Sequence, residues 1–151
     1  HKYNMKVKNF KLQGTNNKYI ELKNINNKFI VLYFYPKDDT PGCTLETKDF
    51  NKLYTKFIKL DCEIFGISKD DNKSHKKFKN KYNVKFNLLS DEKKIVIKAF
   101  KTWGKKKFMG REFMGLIRST CVIKNQKIIK EWRSVKVKGH ALEVLNFIKN
   151  Y

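Results

Sequence analysis

The sequence predicts an α/β fold in which a mixed β-sheet lies between layers of helices. Two apolar runs, 29–35 and 62–68, are rich in β-branched and aromatic residues, which is typical of strands buried on both faces. Helical patterns alternate with these runs. Two shorter runs, 118–123 and 127–132, flank the turn-forming segment KNQK and predict a β-hairpin. Together these observations predict a three-layer α/β sandwich.

The first half of the chain contains three predicted strands and one helix. NKYIEL at 17–22 alternates enough to predict a strand, and an Asn-rich turn separates it from the buried strand 29–35. Thr40 and Pro41 then mark the start of a helix, because Thr is a favoured N-cap and Pro fits the first helical position. The strand 62–68 follows this helix. Apolar residues recur along the helix at Leu45, Phe50, Leu53, Tyr54, Phe57 and Ile58.

The second half contains shorter elements around the hairpin. A basic helix is predicted over 72–82, a short strand or loop over 87–91, and a short helix over 93–100. An amphipathic helix is predicted over 139–151. Its apolar face comprises Ala141, Leu142, Val144, Leu145 and Ile148.

Composition indicates a single globular domain over residues 1–151. The chain is 40% hydrophobic and contains no repeat, linker or change in composition. No apolar run approaches the roughly 18 residues of a membrane span, so no membrane partner is expected. The first ten residues lack the apolar core of a signal peptide. Because the sequence opens at His1, it leaves open where the natural chain starts and whether a targeting segment precedes it.

The three cysteines, Cys43, Cys62 and Cys121, are widely spaced and form no CxxC motif. They support neither a disulfide framework nor a zinc site, and the missing CxxC argues against a disulfide oxidoreductase. The three histidines are scattered, so no metal centre or other cofactor is expected. Free thiols indicate an intracellular reducing compartment.

The charge of the chain is unusual for a globular domain. It has 35 basic and 14 acidic residues, a net charge of +21. Such a surface attracts DNA, RNA or other polyanions and favours the nucleus over the cytoplasm. The alternative is coding bias, because the chain is rich in the Lys, Asn, Ile, Phe and Tyr residues that AT-rich genomes encode.

Cys43 is the candidate reactive residue. It lies about three residues into the first predicted helix, just after a Pro-Gly step. Free N–H groups and the positive end of the helix dipole stabilise a thiolate at such a position. The alternative is an inert, buried cysteine, which is the commoner state of a lone cysteine.

The loop around Cys43 carries a family resemblance. YPKDDTPGCTLE at 35–46 resembles the active-site segment of peroxiredoxins, in particular the bacterioferritin comigratory protein or peroxiredoxin Q branch. The family pattern of Pro, three residues, Thr, two residues and Cys is met by Pro36, Thr40 and Cys43. Further matching segments follow in order at 65–68 (FGIS), 88–92 (LLSDE), 102–113 (TWGKKKFMGREF) and 117–123 (IRSTCVI).

The resemblance implies a thioredoxin-like fold and a peroxidase for hydrogen peroxide and organic hydroperoxides. Cys43 would be the peroxidatic cysteine, which attacks a peroxide oxygen and becomes a sulfenic acid. Arg118 would hold the thiol ionised and stabilise the departing oxygen anion. Its alternative role is a surface salt bridge.

The resemblance also implies roles for Thr40 and Pro36, and Glu46 is a secondary candidate. Thr40 would position the peroxide by hydrogen bonds, or act as the helix N-cap, or both. Pro36 would shield the thiolate, or simply end the strand. Glu46, one turn after Cys43, would orient Arg118, unless it is a solvated surface residue. Trp103 and Phe108 would wall the pocket on family grounds, and by composition alone are core aromatics.

The chain departs from the branch in its second cysteine. Some members carry a resolving cysteine five residues after the first, where this chain has Lys48, and others carry it in the next helix, where residues 69–83 contain none. Cys62 and Cys121 lie in predicted core strands, with Cys121 facing away from the pocket. A one-cysteine mechanism is therefore expected, with thioredoxin, glutaredoxin or glutathione as the reductant. The alternative is that Cys62 or Cys121 substitutes as the resolving cysteine, which would require Cα atoms within about 7 Å of each other.

Two readings of the whole chain remain. The leading one is a monomeric thiol peroxidase, with DNA or another polyanion as an additional partner. The alternative is a basic nucleic-acid-binding module on a thioredoxin-like scaffold, with secondary or vestigial peroxidase activity.

Overall fold

The computed structural model describes residues 5–151, and its main element is an eight-stranded mixed sheet. The strand order is β1-β10-β9-β4-β5-β6-β2-β3, and a separate hairpin is formed by β7 and β8. The pairs β4–β5 and β5–β6 are parallel, and the other pairs are antiparallel. The strands are β1 (Met5–Lys6), β2 (Lys11–Gly14), β3 (Tyr19–Glu21), β4 (Phe29–Phe34), β5 (Cys62–Ser68), β6 (Asn87–Ser90), β7 (Trp103–Phe108), β8 (Arg111–Leu116), β9 (Ser119–Lys124) and β10 (Lys127–Arg133).

Four α-helices and a short 3-10 helix complete the described chain. Within residues 5–151, no helix is both long and apolar enough to cross a membrane. The 3-10 helix is Leu22–Asn24, and the α-helices are α1 (Pro41–Lys59), α2 (Asn72–Tyr82), α3 (Ile95–Ala99) and α4 (His140–Lys149).

Strand β4 lies at the centre of the sheet and separates two hydrophobic cores. All six of its residues are buried, as its unbroken apolar run predicts. Side chains alternate between the faces: Tyr33 packs with residues of α1, α2 and α4, whereas Leu32 packs with residues of α3. The helices therefore cover both faces of the sheet, and the predicted three-layer α/β sandwich is confirmed.

Two features differ from the prediction, and one predicted alternative is resolved. The structure adds strands β1 and β2 and turns the segment after α3 into the β7–β8 hairpin, none of which the sequence pattern had indicated. The strand or loop at 87–91 is strand β6. Leu45, Ile58 and Leu142 were expected on apolar helix faces, but these three side chains are 47%, 43% and 50% exposed.

The connections after β4, β5 and β6 meet at one edge of the sheet, because these strands are parallel. Helix α1 begins at this edge, seven residues after β4 ends. Strand β9 is antiparallel to β4, with Ser119 opposite Phe34, so the residue before β9 lies at the same edge. This topology brings Cys43 and Arg118 together although 75 positions separate them in sequence.

Candidate active site

Cys43 lies in the first turn of α1, as its third residue. The side chain is 1% exposed and forms no disulfide. Pro41 occupies the first helical position, and the first-turn N–H groups have no partners from a preceding turn. Those N–H groups and the helix dipole stabilise negative charge near the sulfur.

Arg118 links the cysteine to a buried carboxylate. One guanidinium nitrogen, Nη2, donates to Cys43 Sγ at 3.4 Å, and the other, Nη1, donates to Glu46 Oε1 at 2.7 Å. A Cβ on Gly42 would lie 3.1 Å from Nη2, so the glycine leaves room for this approach. The planar fork of an arginine suits two partners at once. Glu46 and Cys43 raise the pKa of Arg118 against the opposing effect of its burial.

Glu46 is not a solvated surface residue. Its side chain is 1% exposed, and its Oε2 atom is buried with no hydrogen-bond partner among residues 5–151. Burial raises the pKa of this carboxyl to about 7, and the attraction of Arg118 only partly offsets that effect. Near neutral pH the carboxyl is therefore divided between its charged and neutral forms.

Thr40 and Pro36 lie in the loop that leads into α1. The Thr40 hydroxyl donates to the Lys37 carbonyl at 2.8 Å and makes no side-chain cap of the helix. Thr40 occupies the N-cap position through its backbone alone, since its carbonyl accepts from the Thr44 N–H. Pro36 lines a surface cavity of about 430 Å³. Arg118, Ile117, Ser134, Val135 and the three lysines at 105–107 complete this lining.

A hydrogen-bond network holds the same loop from α2 and had not been predicted from the sequence. Asp38 Oδ2 contacts His75 Nδ1 at 2.7 Å and accepts from the Ser74 hydroxyl at 2.8 Å. Tyr35 donates its hydroxyl to Asp38 Oδ1 at 2.6 Å. Asp70 accepts from the Asp38 N–H at 2.9 Å. The loop is therefore tied to Tyr35 directly after β4, to Asp70 in the segment after β5, and to α2.

The same cluster has the composition of a metal site. The ligand atoms of Asp38, Asp70 and His75 all lie within 4.8 Å of one another. Each is already engaged in hydrogen bonds, because His75 Nε2 contacts the Leu89 carbonyl at 3.0 Å and Asp70 Oδ2 accepts from the Ser68 hydroxyl at 2.6 Å. The potential ligand atoms are therefore occupied by hydrogen bonds within the protein, which fits a structural hydrogen-bond network.

The other two cysteines do not lie beside Cys43. Cys62 pairs with Phe29 at the start of β4, whereas Cys43 follows the other end of that strand. A six-residue strand spans roughly 16 Å, well beyond the ~7 Å between the Cα atoms of a disulfide. Cys121 belongs to the core on the opposite face of the sheet, in agreement with the predicted orientation. Burial raises the pKa of both thiols well above the usual range.

The two aromatic residues assigned to the pocket wall have different positions. Trp103 is partly buried against the core on the α3 face. Phe108 is 66% exposed at the end of β7, so its interpretation as a core aromatic is wrong. The hairpin that carries both residues lies partly outside the packed layers, which the apolar composition of the segment did not reveal.

Comparison with known proteins supports a peroxidase assignment. Residues 4–132 match the AhpC/TSA family. The chain is 45% identical over 146 residues to peroxiredoxin Bcp of Bacillus subtilis. This alignment covers 96% of the chain and 93% of the relative. It is 44% identical over 137 residues to a Helicobacter pylori protein named putative peroxiredoxin bcp, with 90% of each covered.

Solved structures agree with the sequence relatives. A mutant of PrxQ from Xylella fastidiosa superposes with a TM-score of 0.92 at 37% identity, covering 98% of this chain and 95% of that one. The bacterioferritin comigratory protein of Xanthomonas campestris, described by its alkyl peroxide reduction activity, gives a TM-score of 0.88 at 37% identity, with coverage of 93% and 90%. These names do not support the alternative of a nucleic-acid-binding module. The thioredoxin-like fold, the Cys43–Arg118 contact and these relatives lead to one conclusion: the chain belongs to the AhpC/TSA family, in the Bcp/PrxQ branch of peroxiredoxins, and is a thiol peroxidase.

Proposed function

We propose that Cys43 is the peroxidatic cysteine of a one-cysteine peroxidase. The observation that carries this proposal is the contact of Arg118 Nη2 with Cys43 Sγ at 3.4 Å, at the start of α1. A fixed positive charge and the free N–H groups of a helix end both favour a thiolate. The thiolate is the form of cysteine that attacks an O–O bond.

In the first half of the cycle, the Cys43 thiolate attacks one oxygen of ROOH. The S–O bond forms as the O–O bond breaks, and the sulfur becomes a sulfenic acid, Cys–SOH. The other oxygen leaves as RO⁻ and takes a proton from solvent to give ROH. Arg118 stabilises the negative charge as it passes from the sulfur to the leaving oxygen.

The neighbouring residues hold the peroxide and the guanidinium in place. The Thr40 hydroxyl donates to Lys37 O and so retains lone pairs that accept from the peroxide O–H. Pro36 lines the cavity beside Arg118 and offers no N–H that would compete for the substrate. Glu46 orients Arg118 through its 2.7 Å contact.

In the second half of the cycle, an external thiol reduces the sulfenic acid. The position of Cys62 at the far end of β4 and of Cys121 in the opposite core supports the absence of an internal resolving cysteine. Thioredoxin, or glutaredoxin with glutathione, is the proposed electron donor. The balanced reaction is ROOH with two thiols giving ROH, water and one disulfide.

The test is peroxide consumption with dithiothreitol, thioredoxin or glutaredoxin/glutathione, together with the intact mass of the oxidised protein. Cys43→Ser should abolish turnover, whereas Cys62→Ser and Cys121→Ser should retain it. Oxidation with peroxide alone should add about 16 Da for one oxygen, whereas an internal disulfide would remove about 2 Da. A 2 Da loss, or inactivity of either control variant, would contradict the one-cysteine mechanism.

We also propose that the enzyme associates with DNA or another polyanion and acts in the nucleus. This proposal rests on the net charge of +21, which attracts polyanions regardless of their sequence.

The same charge opposes self-association, so the enzyme is proposed to be a monomer. Light scattering after size-exclusion chromatography tests the monomer, and microscopy of the tagged protein tests the location. A dimer mass or cytoplasmic fluorescence would contradict the respective proposal.

A further inference from the structure

The β7–β8 hairpin exposes four large apolar side chains on one short segment. Phe108, Met109, Phe113 and Met114 are 66%, 89%, 47% and 55% exposed. Single exposed apolar residues are common, but four exposed apolar residues on one short hairpin are characteristic of an interaction surface. We call these four residues the apolar tip.

Cations surround the apolar tip. Lys105, Lys107 and Arg111 are exposed on the same hairpin, against a single carboxylate, Glu112. Directly paired residues of an antiparallel ladder lie on the same face, so Lys105 accompanies Met114 and Arg111 accompanies Phe108. Both faces of the hairpin therefore combine an apolar contact with a positive charge. This combination favours a partner with an apolar patch and an acidic rim.

The hairpin surface is continuous with the entrance to the active site. Lys105 and Lys107 belong both to the hairpin and to the wall of the cavity that Pro36 and Arg118 line. Arg118 is in turn bonded to Cys43. A molecule that sits on the hairpin is therefore held at the entrance that leads towards the buried sulfur.

We propose that this hairpin is the docking surface for the protein that reduces Cys43: a small dithiol protein with an apolar, acidic surface around its reactive thiol. The inference rests on the proposed one-cysteine cycle, in which every turnover requires an outside thiol. A free small thiol has no use for the apolar tip. A nucleic acid matches the cations but leaves the tip exposed, and a second copy of this chain brings another +21 charge.

The docked partner completes the cycle in two balanced steps. Its thiolate attacks the sulfur of Cys43–SOH, which forms a mixed disulfide and releases the oxygen as water after protonation. Its second thiol then attacks the partner's own sulfur in that disulfide, which frees the Cys43 thiolate. The partner leaves as an oxidised disulfide, having supplied the two electrons that the peroxide consumed.

The test compares a protein reductant with dithiothreitol in a variant of the tip, Met109→Ser/Met114→Ser. With thioredoxin or glutaredoxin as the reductant, the KM for that protein should rise about tenfold, as expected when apolar contacts are removed from a docking site. Turnover with dithiothreitol should not change. The matched control is Ile95→Ser, which removes a 67% exposed apolar side chain that lines a different groove, and it should behave as the wild type.

A second measurement tests whether the positive charge of the hairpin contributes to docking. For the wild type, kcat/KM for the protein reductant should fall as ionic strength rises, while turnover with dithiothreitol stays level. Arg111→Glu should lower kcat/KM for the protein and reduce the salt dependence, unlike Lys18→Glu in the turn between β2 and β3.

The outcomes separate the docking surface from the peroxidase function. Lack of turnover even with dithiothreitol would overturn the proposed function. Turnover with a protein reductant at an unchanged KM in the tip variant would overturn the docking surface alone. Turnover with dithiothreitol or glutathione but with neither protein would also overturn it, because no protein would need to dock.

Discussion

Arg118 uses its two terminal nitrogens for different partners. Nη1 binds the buried Glu46, and Nη2 binds Cys43, so one side chain is both anchored and directed at the sulfur. The rigid guanidinium fixes the angle between these two contacts. A lysine provides a single ammonium on a flexible stem and does not reproduce this geometry.

Arg118→Lys is therefore expected to slow the reaction of Cys43 with hydrogen peroxide by about 10²-fold, the size of effect seen when one oxyanion donor is lost. Stopped-flow measurement of the second-order rate constant provides the test. Arg111→Lys, on the exposed hairpin, should retain the wild-type value. A rate for Arg118→Lys within threefold of the wild type would remove Arg118 from the proposed mechanism.

Glu46 makes the protein less stable as pH rises, whereas most carboxylates in folded proteins make it more stable. The pKa of this carboxyl is raised from 4.5 to about 7 by burial, so between these values the folded state binds more protons than the unfolded state. This contribution is fully present below pH 4.5 and is lost as pH rises through 7.

Glu46→Gln removes that titration. Relative to the variant, the wild type should lose about 3 kcal/mol of unfolding free energy between pH 4.5 and 8, at 1.36 kcal/mol for each pKa unit. Urea unfolding at intervals across this range measures the difference. The exposed control, Glu112→Gln, should follow the wild-type curve. Parallel curves for the wild type and Glu46→Gln would show that the carboxyl does not titrate in this range.

At the scale of the elements, the active-site loop depends on helix α2. His75 is completely buried and contacts oxygen atoms on both sides, Asp38 Oδ2 and Leu89 O. Two exposed hydrogen bonds also connect α2 to the loop, because Lys81 and Tyr82 both donate to the Asp39 carboxylate at 2.7 Å. The position of the loop that carries Thr40 thus depends on a helix that contributes no residue to the proposed chemistry.

Replacing His75 by Leu leaves Asp38 buried without that partner. We expect a loss of roughly 3 kcal/mol in unfolding free energy, the usual result of breaking a buried pair, and a slower reaction of Cys43 with peroxide. Ser74→Ala is the matched control, because it removes one neutral donor from the same carboxylate and should cost about 1 kcal/mol. If His75→Leu costs no more than Ser74→Ala, the contact does not hold the loop.

The elements also show where a sequence pattern is informative. Buried strands β4 and β5 were predicted nearly to the residue, because central strands must be apolar on both faces. The β7–β8 hairpin was missed, because its lysines and exposed apolar residues follow no alternation of polar and apolar faces. Helix α3 is shorter than the predicted 93–100, since Lys94 has a positive φ and lies outside the helix.

At the scale of the whole molecule, the net charge of +21 dominates long-range interactions. If DNA binding is electrostatic, affinity should fall by more than tenfold between about 50 and 200 mM salt, because bound counterions are released. A gel-shift titration of two duplexes of scrambled sequence should give the same affinity for both. Absence of binding at about 150 mM salt would contradict the proposal and leave coding bias as the explanation of the charge.

The sequence by itself determined the three-layer sandwich and the position of Cys43 at the start of a helix, whereas the pairing of Cys43 with Arg118 was implied only by the family resemblance. The sandwich and the helix start follow from local features: buried strand runs and a Pro at the helix start. Only the tertiary structure decided that Glu46 is buried, that His75 holds the active-site loop, and that the tip of the hairpin is exposed. The physical reason is that burial and long-range hydrogen bonds depend on which distant segments pack together, and no local pattern records that packing.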